Sequence, residues 1–186
     1  EKFDDFRVTR QFKAWHQDHI EGKLIPFRTE MRLRSGPELR LTGTIDMLFI
    51  VPDHPKGDTL HLIMKDWKIS KAIKKKNFFQ KGTGPCIGLD DCNFNHYSLQ
   101  LSTYTMILET WYTDFEYKGH VYKNVKIDRS QRELVVFHDT RDTYEVVLVD
   151  ELDTMAQEMA NRRIEYLKKK EEKNPVVNLL QKISPH

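Results

Sequence analysis

"IDMLFIVPDHPKGDTLHLIMKDWKIS", residues 45–70, reads as one apolar strand, a turn rich in proline, aspartate and glycine, and a second apolar strand. Three charged residues interrupt it: Asp46 near its start, and Asp66 and Lys68 near its end. Charges set among aliphatic side chains cost free energy unless they are paired or bind an ion. In a strand, side chains two apart share a face. Asp66 and Lys68 therefore fall with Leu62 and Met64, while Ile63, Trp67 and Ile69 point the other way. Asp46 falls with Thr44 and Leu48. Pairing of the two strands would bring Asp46 towards Asp66.

Upstream, "PFRTEMRLR" (26–34) alternates Thr29, Met31 and Leu33 with Arg28, Glu30, Arg32 and Arg34, which predicts another strand. The turn "SGPE" joins it to the next, so the sheet opens as an antiparallel meander. Residues 3–22 carry Phe3, Phe6, Val8, Phe12, Trp15 and Ile20 at largely helical spacing, and Gly22 marks a stop. Downstream, residues 69–96 lose periodicity, hold three glycines and five lysines, and read as a mobile excursion. A helix resumes at Asn95, with Tyr97, Leu101, Tyr104, Leu108 and Trp111 three or four apart. Strands at 132–139 and 143–150 follow, then a helix over 151–173 capped by Asp150 or a neighbour. The order predicts a mixed α/β core in one domain over 1–174, with a tail at 175–186.

The 186 residues, 39% hydrophobic and 31% charged, match a globular composition. The sequence has no run of apolar residues long enough to span a membrane and no signal-peptide pattern. Cys86 and Cys92 give neither a disulfide framework nor the four thiolates of an iron–sulfur cluster, which predicts an intracellular, reducing compartment.

Two neighbouring carboxylates repel and raise each other's pKa unless a cation lies between them. A hard divalent ion with oxygen ligands answers that repulsion. Such an ion polarises a phosphate oxygen and acidifies water, and Lys68 beside it would orient the nucleophile and offset developing negative charge. Gln100 and Tyr104, four apart on the following helix, share a face and both donate and accept hydrogen bonds. The pattern suits phosphodiester hydrolysis.

In this order, "GTIDMLF", "IMKDWKIS" and "QLSTY" resemble the motifs of the PD-(D/E)xK nuclease superfamily, in its RecB-like branch, over roughly residues 12–115. The resemblance implies a restriction-endonuclease-like fold, a mixed β-sheet core flanked by α-helices. It implies that Asp46 and Asp66 bind Mg2+ or Mn2+, with the backbone carbonyl of Trp67 completing the set. Lys68 would be the catalytic lysine, and Gln100 and Tyr104 the Q-x-x-x-Y pair. Glu30 matches a glutamate often present on the preceding strand, with a role as ligand or as support. Ile45 replaces the proline of the superfamily name, and Ile69 replaces the usual Thr or Ser. The branch also carries a metal-binding histidine on an upstream helix. His16 and His19 stand too close to Glu30 to match it, which predicts that this histidine lies before residue 1.

Lys71, Lys74, Lys75 and Lys76 follow the proposed catalytic strand, with Phe78 and Phe79 beside them. Lysines neutralise phosphates and phenylalanines stack on unpaired bases, so this segment is the expected nucleic-acid contact. The sequence thus predicts a divalent-metal-dependent deoxyribonuclease, an exonuclease or flap nuclease acting on single-stranded ends, in partnership with a helicase or another replication or repair module. A nuclease-derived binding or scaffolding domain with weak or absent turnover is the alternative, and an RNA endonuclease a third.

Overall fold

In the computed structural model, residues 6–51 and 57–173 are described. The predicted start of the first helix at residues 3–5 and the tail at 175–186 lie outside them. Helix α1 (Arg7–His19) is followed by the meander β1 (Ile25–Arg34), β2 (Thr42–Ile50) and β3 (Thr59–Ile69). Then come α2 (Asn93–Trp111), β4 (Phe115–Tyr117), β5 (His120–Tyr122), β6 (Asn124–Ile127), β7 (Glu133–Phe137), β8 (Glu145–Leu148) and α3 (Asp153–Glu172).

The main sheet runs β1-β2-β3-β7-β8. β1, β2 and β3 pair antiparallel, as the short turns between them predict. β7 and β8 form an antiparallel hairpin, but β7 lies parallel to β3 along Lys65–Ile69. β6, also parallel, takes the earlier half of β3, Thr59–Leu62. The sheet is therefore mixed. β4, β5 and β6 carry no sequence signal of their own, because runs of three or four residues hold too little periodicity to register.

Alternation along β3 sorts the core into two layers. Leu62 and Met64 pack with Leu48, Ile50, Leu101 and Leu108 beneath α2 and α3. Ile63 packs with Phe49, Met47, Val135 and Phe137 beneath Trp15 of α1. Fully burying one such side chain contributes about 1.5–3 kcal/mol, so the hydrophobic pattern of this strand is firmly tied to its register.

α2 and α3 pack against one another, and each buries small residues. Ser98, Ser102 and Thr105 of α2 are buried, as are Ala156 and Ala160 of α3. The first residue of α3 is preceded by Leu152, which provides no side-chain cap, contrary to the expected capping by Asp150 or a neighbour. Its entry is fastened from outside instead: the Asp150 and Leu152 N–H groups donate to the hydroxyls of Ser98 and Ser102 at 3.2 Å. Asp153 then pairs with the buried Arg132 at 2.7 Å and with Arg129 at 2.9 Å.

On the other face, α1 is clamped to the sheet by Gln11. Its amide donates to the carbonyls of His138 (2.7 Å) and Arg141 (2.8 Å) and accepts from the His138 N–H (2.8 Å). Among the described residues, no helix is long and apolar enough to cross a membrane.

Candidate active site

The β2–β3 ladder pairs Ile50 with Leu62, Phe49 with Ile63, Leu48 with Met64 and Met47 with Lys65, and ends there. Asp46 and Asp66 are the next residues on each strand, where the two strands fork. From Lys65 to Ile69, β3 keeps its ladder with β7 on the opposite edge. On the edge that β2 vacates, the Trp67 N–H donates to Asp46 Oδ2 at 2.7 Å. One carboxylate thus replaces a missing backbone partner and is held in place by doing so.

Regular alternation also fails at the fork. Ile45 and Leu48, three apart, both pack into the α2 layer, so the expected grouping of Asp46 with Thr44 and Leu48 on one regular face is corrected. Across the sheet, Thr29 pairs with Met47 and Met31 with Ile45, which leaves Glu30 opposite Asp46 without a ladder partner. Glu30 has a φ of 47°, a left-handed conformation that side-chain-bearing residues seldom adopt. The slip in β2 is matched by this kink in β1. Glu30 itself is exposed.

Asp66 keeps the predicted face and is 3% exposed. Burial raises its pKa from 3.8 to about 6; the Lys68 ammonium opposes that rise and the Asp46 carboxylate adds to it. Its Oδ2 is buried without a hydrogen bond of good geometry, and the Lys68 ammonium beside it is its counter-ion. The same ammonium lies over the Tyr97 ring, 4.8 Å from the centroid.

α2 supplies the roof. Gln100 Nε2 donates to the Tyr104 hydroxyl at 2.9 Å. A β-carbon placed on Gly43 of β2 would stand 2.8 Å from both Cζ and the hydroxyl of Tyr104. Glycine at 43 is thus what lets the Tyr104 ring lie directly on the strand that carries Asp46. Gln100 and Tyr104 are brought to the same face of the sheet as Asp66 and Lys68. Tyr97, read from sequence only as part of the apolar repeat, joins them; its position three before Gln100 and seven before Tyr104 was the available signal.

Among the described residues, no group of three or more His, Cys, Asp or Glu side chains could hold a metal ion. Glu30 does not complete such a group with Asp46 and Asp66. His16 and His19 sit on α1, across the sheet, where His19 contacts the Tyr144 hydroxyl at 3.1 Å. A magnesium-like ion often takes only one or two carboxylates and fills its shell with water and phosphate oxygens. The Asp46–Asp66 pair fits that donor set, and the buried Asp66 oxygen already faces the positive charge of Lys68.

The lysine-rich segment after β3 is pinned rather than loose. Asn77 is its hub: its side chain donates to the Asp91 carbonyl at 2.7 Å and accepts from the N–H groups of Phe79 and Gln80. The Lys74 N–H donates to Asn93 Oδ1 at 2.7 Å, which ties the segment to the start of α2. Phe78 and Phe79 stand 85% and 95% exposed at its crest. Lys75 is drawn over the Phe94 ring (4.7 Å), whereas Lys71, Lys74 and Lys76 have no ion-pair partner among the described residues. Cys86 and Cys92 are free thiols, and Cys86 Sγ lies 3.5 Å from Met159 Sδ.

No known family's sequence model matches the chain, and no curated protein matches it.

Proposed function

We propose that this chain is a restriction-endonuclease-like, divalent-metal-dependent nuclease that hydrolyses phosphodiester bonds of DNA, as an exonuclease or flap nuclease working on single-stranded ends. The observation that carries this reading is the fork, where Asp46, Asp66 and Lys68 meet under a roof made by Gln100 and Tyr104.

Asp46 and Asp66 would hold Mg2+ or Mn2+, with the Trp67 carbonyl as a further oxygen donor. When bound, the ion supplies Lewis-acid polarisation of a phosphate oxygen and acidifies water. Asp46, fixed by the Trp67 N–H, presents its second oxygen without needing to reorganise. Asp66, poised near pH 6 by burial, reaches its anionic form at neutral pH. Lys68, whose ammonium lies beside Asp66 at the fork, would offset the charge that develops on the phosphoryl oxygens. The Gln100–Tyr104 pair orients the backbone of the strand being cut. Lys71, Lys74 and Lys76 neutralise flanking phosphates, and Phe78 and Phe79 offer stacking faces to unpaired bases.

A second reading, a nuclease-fold domain that binds without cutting, is favoured by one observation: the metal-ligand set at the fork stops at two carboxylates among the described residues. One experiment separates the two. End-labelled single- and double-stranded DNA, and RNA of the same sequence, are incubated with the protein in Mg2+, Mn2+ or EDTA, beside Lys68→Ala. Metal-dependent DNA cleavage lost in the variant supports the nuclease. Cleavage that survives Lys68→Ala refutes the assignment of Lys68, and binding without cleavage gives the second reading.

A further inference from the structure

We infer that Tyr97 is a positioning residue for Lys68: the face of its ring holds the lysine ammonium at the fork. This rests on the nuclease reading for its consequence but not for its geometry. Lys68 ends a flexible chain of four methylenes, and only 19% of its side chain is exposed. The Asp66 carboxylate and the Tyr97 ring, 4.8 Å away, are the partners that flank its ammonium. A ring face carries the negative lobe of its quadrupole, so it attracts an ammonium most strongly where water is excluded.

The two partners differ in what they leave free. If Asp66 turns its oxygen to a divalent ion, the lysine loses much of that ion pair. The tyrosine ring then remains to keep the ammonium beside the phosphate. No hydrogen bond by the Tyr97 hydroxyl is present among the described residues, so the ring and not the hydroxyl is the active part. Tyr97 also shares its helix face with Gln100 and Tyr104, and α2 thereby delivers three side chains to the fork at spacings of three and four.

The test reads Lys68 directly and needs no cleavage. Wild type, Tyr97→Phe, Tyr97→Leu and protein with pentafluorophenylalanine at position 97 are treated with acetic anhydride at a fixed pH in EDTA. Acetylation of each lysine is followed by mass spectrometry, with Lys71 and Lys74 as internal references. Pentafluorophenylalanine keeps the ring's shape while reversing its quadrupole, so it separates charge attraction from packing. The expected result is a wild-type rate at Lys68 in Tyr97→Phe. Tyr97→Leu and the fluorinated ring should each give about a three- to tenfold rise, with the reference lysines unchanged and native circular dichroism throughout. A Lys68 rate unaffected by the fluorinated ring overturns the proposal, as does a rise in Tyr97→Phe. In cleavage assays Tyr97→Leu should lower kcat about tenfold with KM unchanged, and Tyr97→Phe should restore it. If wild type never cleaves, the nuclease reading fails while the acetylation result still decides the role of Tyr97.

Discussion

Asp66→Asn tests the electrostatics of the fork without relying on activity. A carboxyl moved from 3.8 to about 6 on folding carries a cost of about 3 kcal/mol for its ionised form. Because the folded pKa is raised, the native state holds its proton more tightly than the unfolded chain. The stability contributed by the protonated acid is complete below pH 3.8 and is lost as pH rises through 6. The penalty is therefore present in full at pH 8. An asparagine of the same shape never ionises and escapes it, although Lys68 loses its counter-ion. The variant should be more stable than wild type by about 1–3 kcal/mol at pH 8, and that gap should shrink by about 2 kcal/mol on going to pH 4.5. Urea denaturation at four pH values between 4.5 and 8 measures it. Asp153, Glu109 and Asp128, whose pKa values are lowered by their partners, lose stabilisation as pH falls. They do so equally in both proteins and cancel in the difference. Added Mn2+ should stabilise wild type and leave Asp66→Asn unmoved, since a ligand that binds only the native state adds RT ln(1 + [L]/Kd). A gap that stays constant with pH, or one that favours wild type more as pH rises, would refute the assignment of Asp66 as a buried and strained acid.

Gly43→Ala drives a methyl group into the Tyr104 ring, with Cζ and the hydroxyl 2.8 Å away; overpacking of this kind costs about 1–3 kcal/mol. Urea melts should show that loss, and near-ultraviolet circular dichroism should report the displaced tyrosine. Phe78→Ala and Phe79→Ala remove highly exposed side chains, so stability should change by less than about 0.5 kcal/mol. Binding of single-stranded DNA in EDTA, read by fluorescence anisotropy, should nevertheless weaken by about tenfold or more for each.

Much of this architecture was legible along the chain. β1 alternates apolar and charged residues, β2 and β3 each carry a longer apolar run that becomes buried, and the short connections between the three demand antiparallel pairing. The faces of β3 also follow: Met64 and Lys68 on one side, Ile63 and Trp67 on the other. The segment after β3 reads as mobile from sequence because its lysines and glycines carry no periodic signal. Asn77 pins it through contacts with residues 79–91, and nothing in its immediate neighbours announces that hub.

The sequence by itself marked Asp46, Asp66, Lys68, Gln100 and Tyr104 as candidates, through their residue types and the strand and helix periods they fall on. Tertiary structure decided how they meet. Alternation assumes an unbroken ladder, yet the ladder between β2 and β3 ends at Met47 and Lys65, β3 runs on beside β7 alone, and Glu30 kinks the neighbouring strand β1. The freed Trp67 N–H then captures Asp46, Gly43 admits Tyr104, and Tyr97 comes to rest under Lys68. Each of these is a contact between segments 20 or more residues apart. Local patterns encode faces and periods; such contacts are fixed only when the layers pack.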